Sequence, residues 1–84
     1  MDVLNLITQL ERNLKAYLRL FADPRAGDAW RLEVQLFYDG EPAGTTSFNL
    51  HGYSQEEAEE IARNIRRNDY LMHEIDQFLW GESD

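Results

Sequence analysis

Alternation between apolar and polar residues is cleanest from Trp30 to Asp39. Trp30, Leu32, Val34, Leu36 and Tyr38 take every second position, with Arg31, Glu33, Gln35 and Asp39 between them. A period of two sends successive side chains to opposite faces, which predicts a half-buried antiparallel strand, the middle one of its sheet. Phe37 is the one large apolar residue on the polar face.

The flanking segments supply its neighbours. Leu14, Ala16, Leu18, Leu20 and Ala22 alternate with Lys15, Tyr17, Arg19 and Phe21, predicting a strand over 14–22 that returns through a loop over 23–28. Asp39-Gly-Glu-Pro-Ala-Gly44 carries dense turn chemistry and should reverse the chain into a third strand, Thr45–Leu50, with Thr46, Phe48 and Leu50 inward.

Other stretches have helical spacing. Behind Asp2 as N-cap, Val3, Leu6, Ile7, Leu10 and Leu14 form a stripe with a period near 3.6, predicting an opening helix that breaks at Arg12–Asn13. The alternative is a helix that runs on through Tyr17, Leu18 and Phe21 to Asp23. Ser54 with Glu57 three residues later forms a capping box ahead of the stripe Ala58, Ile61, Ala62 and Ile65. Asn68-Asp69 interrupts that stripe. Asp69 then caps a last helix carrying Leu71, Met72, Ile75, Phe78 and Leu79, ending at Gly81.

The expected fold is therefore α+β: a helix, a three-stranded antiparallel meander, then two helices packed on one sheet face. One domain spans residues 1–84. Its core is expected to hold Trp30, Leu32, Val34, Leu36, Phe48, Leu50, Ile61, Ile65, Ile75, Phe78 and Leu79.

Composition changes the picture mainly through charge. Sixteen acidic and eight basic side chains give a formal charge of −8. Residues 1–53 carry a net −2 and residues 54–84 a net −6. Such a field repels nucleic acid and anionic membrane and attracts basic surfaces. The chain has no cysteine, so disulfides and thiolate metal sites are excluded. An acid at position 2 and the lack of a basic leader or a membrane-length apolar run point to a cytosolic protein.

Candidate chemistry is sparse. His51 and His73 do not stand in metal-ligand spacing, and there is no phosphate loop, nucleophile elbow or Ser–His–Asp spacing. Glu56, Glu57, Glu59 and Glu60 at a helix start, with Arg63, Arg66 and Arg67 at its end, are accounted for by the helix dipole. No enzyme activity, cofactor or metal is expected.

Two surfaces remain. The first is acidic: Asp39, Glu41, Asp69, Glu74, Asp76 and Glu82, with Asp84 beyond and no Lys or Arg after Arg67. Carboxylates can occupy Arg and Lys clefts built for phosphate. The second is the outer sheet face, where Tyr17, Arg19, Phe21, Arg31, Glu33 and Phe37 combine aromatics with interleaved charge.

A short, cysteine-free, acidic chain of this element order, with the opening helix MDVLNLITQLERN, resembles certain small phage anti-CRISPR proteins. The likeness is architectural, so no functional residue is carried across. It implies a non-enzymatic inhibitor that binds a basic nucleic-acid-handling protein, a CRISPR effector, and blocks DNA by mimicking its charge. Such a chain would not itself bind nucleic acid or membrane. The alternative is a small adaptor, binding a partner or a second copy of itself through the aromatic sheet face.

Overall fold

The computed structural model describes residues 2–23 and 29–81. Four antiparallel strands precede two helices: β1 (Asp2–Glu11), β2 (Leu14–Ala22), β3 (Trp30–Tyr38), β4 (Glu41–Leu50), α1 (Gln55–Arg63) and α2 (Asp69–Trp80). A short 3-10 turn, Ile65–Arg67, joins the helices. Spatial order follows chain order, β1-β2-β3-β4, so the sheet is a plain meander. The expected α+β composition holds, but the expected opening helix does not exist. The meander has four strands, and the opening helix that carried part of the anti-CRISPR resemblance is a strand.

The reason lies outside the segment itself. Leu4, Leu6, Thr8 and Leu10 alternate as well as Val3, Leu6, Ile7 and Leu10 spiral, so local pattern permits either element. Pairing decides between them, because a helix would leave the free edge of β2 without backbone partners. As a strand, β1 pairs Leu6 with Leu18 and Ile7 with Tyr17, turning through Arg12–Asn13. The break was expected at those two residues, and they form the hairpin turn. Gln9 laces it, its Nε2 donating to the carbonyls of Glu11 at 2.9 Å and Arg12 at 2.7 Å.

The second hairpin is tighter than expected. Asp39 and Gly40 both have positive φ, 53° and 82°, the requirement of a two-residue type I′ turn. β4 consequently starts at Glu41, not at Thr45. Pro42 is accommodated near the strand start, beside a register irregularity opposite Leu36 and Phe37. The loop expected over 23–28 falls mostly on residues 24–28, which lie outside the described residues.

One row of the register shows how the core is built. Leu6 faces Leu18, Leu18 faces Val34, and Val34 faces Thr46, all on the side the helices cover. Leu14, Ala16, Leu18 and Leu20 of β2 and Leu32, Val34 and Leu36 of β3 are buried there with Ala58, Ala62, Ile65, Leu71 and Ile75. Ala58 and Ala62 have no exposed surface, and side chains this small let α1 lie close to the sheet. Of the residues expected in the core, Trp30, Phe48, Ile61 and Leu79 are only partly buried, and Phe78 is 44% exposed. Phe78 packs its ring edge over Gly44, where an added Cβ would come within 2.8 Å of it.

Both helices are capped, one as expected. Ser54 Oγ accepts from the Glu57 amide at 3.1 Å, and the Ser54 amide donates to Glu57 Oε1 at 2.9 Å. Ser54→Ala removes this cap and should lower stability by about 0.5–2 kcal/mol in urea unfolding. At α2 the cap is Asn68, whose Oδ1 accepts from the Leu71 amide at 3.0 Å, and Asp69 is the first helical residue. Gly81 closes α2 in the left-handed conformation, as expected.

Candidate protein-interaction surface

Both helices pack against one side of the sheet, so among the described residues nothing covers the other. The even-numbered residues of β2 and β3 point to the core, which sends Lys15, Tyr17, Arg19, Phe21, Arg31, Glu33, Gln35 and Phe37 outward. All six residues singled out for this face thus share it. β1 enlarges it with Asn5, Ile7 and Gln9, which a helix would have placed elsewhere. Ile7, expected in a buried stripe, is 73% exposed.

Polar side chains on this face are tied across strands. Arg19 stands opposite Glu33 and pairs with it at 2.6 Å, while its guanidinium carbon lies 5.3 Å from the Phe21 ring centre. Arg31 reaches Asp23 at 3.7 Å and Asn49 at 3.4 Å. Tyr17 donates its hydroxyl to Asn5 Oδ1 at 3.1 Å. With their charged ends engaged, Arg19 and Arg31 lose less side-chain freedom when something docks on them. Ile7, Tyr17, Phe21 and Phe37 supply the apolar area between. Lys15, Arg19 and Arg31 against Glu33 and Asp23 bring these side chains close to charge balance on a chain of net −8.

The acidic residues are dispersed. Asp39 and Glu41 sit exposed at the β3–β4 turn. That end of the sheet meets the C-terminal end of α2, where Trp80 stacks edge-on against Tyr38, ring centres 5.5 Å apart. Asp69 opens α2, about 16 Å away along the helix axis. Asp69 and Asp76, seven residues apart, share one flank of α2, whereas Glu74 lies roughly 140–160° around the helix from both. Glu74 instead faces β4, beside Thr46–Leu50. Glu82 and Asp84 lie outside the described residues. On α1, Glu59 is engaged by Arg63 at 3.5 Å and by Gln55 at 2.9 Å, and Glu60 accepts from Asn64 at 2.9 Å.

His51 and His73 are exposed on separate elements, and no described cluster of His, Asp and Glu could hold a metal ion. No helix among the described residues is long and apolar enough to cross a membrane. Comparison of this chain with protein-family models, with curated proteins and with solved structures finds no match.

Proposed function

We propose that this chain is a non-enzymatic binding protein that engages a partner protein through the outer face of its sheet. Ile7 carries the reading: an aliphatic side chain 73% exposed, with Tyr17 directly opposite, on a face no described element covers. Isolated exposed apolar residues need no explanation, but one grouped with aromatics and cross-linked arginines has the make-up of an interface. Inhibition of a basic nucleic-acid-handling protein, such as a CRISPR effector, by carboxylates standing in for DNA phosphates ranks second. Its candidate residues occupy the β3–β4 turn and two flanks of α2, which do not make one row of charge.

One experiment separates the two. The immobilised protein is used to capture partners from cells, in parallel with Ile7→Asp and with the double variant Glu74→Gln/Asp76→Asn. The sheet-face reading expects the same partner on the wild type and the double variant and its loss on Ile7→Asp. It also expects the complex to persist at about 0.5 M salt, where screening removes most long-range attraction. Loss on the double variant with retention on Ile7→Asp reverses the ranking.

A further inference from the structure

The sheet has two edges, and they are not equally guarded. β1 carries register irregularities at both ends, and Arg63, Asn64, Arg66 and Arg67 gather beside its Thr8. The first part of β4 is guarded by Glu41, by Pro42 and by Phe78 packed over Gly44. From Thr45 to Leu50 those devices stop: the segment TTSFNL has no charge and no proline. Edge strands normally bear such features because their unpaired backbone groups template further pairing.

This edge opens into a groove. A cleft of about 600 Å³ runs along Thr46–Leu50, walled by Ile61, Leu71, Glu74 and the exposed rings of Tyr53 and Tyr70. An added strand would sit about 4.8 Å from β4, and its inward side chains would enter this cleft. Among the described residues, Glu74 is the only charged one lining it.

We infer that β4 accepts an extended basic peptide of a partner as a fifth strand, with apolar side chains in the cleft and a Lys or Arg against Glu74. Charge selects this occupant. A second copy of the chain would bring another net −8 and another Glu74 to the same edge, whereas a basic strand is drawn to it. Backbone hydrogen bonds supply affinity, and register comes from the alternate side chains that the cleft accommodates. This surface is separate from the outer sheet face, and neither reading depends on the other.

The test uses the isotope-labelled full chain and a synthetic peptide, acetyl-Lys-Val-Thr-Lys-Thr-Val-Lys-amide, whose second, fourth and sixth residues put Val, Lys and Val on the cleft side, followed by backbone amide NMR. The peptide should shift the amides of Thr45–Leu50 and of Tyr53 and Tyr70. A peptide N-methylated at every second amide should bind at least about tenfold more weakly in one phase and unchanged in the other, since only one set of N–H groups faces β4. Glu74→Gln should weaken binding about three- to tenfold, and Ile7→Asp should leave it unchanged. Equal binding by both N-methylated phases would mean that charge alone holds the peptide, and overturns the proposal. No binding at about 1 mM peptide overturns it as well, on the usual affinity scale. Equally fatal is a dimer with protected β4 amides in the absence of peptide, which would make a second copy the occupant.

Discussion

Leu18→Ala should lower the unfolding free energy by about 2–5 kcal/mol, the range for emptying a packed leucine site. Leu18 is 1% exposed and lies within the row that runs from Leu6 through Val34 to Thr46, on β2, the strand that packs against α1. Its cross-strand neighbours, Leu6 and Val34, belong to two different strands and α1 packs against β2, so no single element can move to fill the space. Small domains are stabilised by only about 5–15 kcal/mol, and the variant should lose a large share of that. Urea unfolding measures it directly. A loss under about 1 kcal/mol would mean that the site collapses freely and the row is not close-packed.

β3 is legible in the sequence because it alternates without a competing period, and β2 occupies the residues its alternation assigns, 14–22, although a helical stripe through Tyr17, Leu18 and Phe21 competes with it. The capping box at Ser54 and the glycine stop at Gly81 are equally legible, since each depends on residues within one turn of it. What local pattern cannot supply is partnership between distant segments. Residues 3–10 satisfy two periods at once, and the choice falls to the unpaired edge of β2, which is a property of the assembled sheet. The same limit governs the acidic surface: Glu74 and Asp76 are neighbours in sequence, yet two residues of α-helix carry them to opposite flanks of α2. Phe78 has the spacing of a core residue but meets Gly44, a position with no side chain to interdigitate with, and remains partly in solvent. The outer face is readable for six of its eight β2 and β3 residues, Tyr17, Arg19, Phe21, Arg31, Glu33 and Phe37. Ile7 is not, because its place there follows only once residues 2–11 form a strand.

That strand assignment makes adjacent residues behave oppositely, and the contrast tests fold and function together. Leu6 is half-buried on the core side of β1, facing Leu18, and Ile7 points out beside Tyr17. Aspartate disfavours strands to a similar degree at either position, so the intrinsic cost is shared and the difference reports burial. Leu6→Asp places a short carboxylate against Leu18, with Arg63, Arg66 and Arg67 gathered one inward position along at Thr8 to offset part of the penalty, at an expected cost of about 2–3 kcal/mol. Ile7→Asp exchanges an exposed side chain and should cost less than about 1 kcal/mol. A helix with both residues in its stripe would penalise both substitutions heavily. Urea unfolding of the pair therefore checks the register of β1. The folded Ile7→Asp protein then becomes the reagent for the sheet-face reading: it should be native in stability and lose the partner. A protein that keeps both its stability and its partner would remove the outer face from consideration and leave the β4 edge as the surface to pursue.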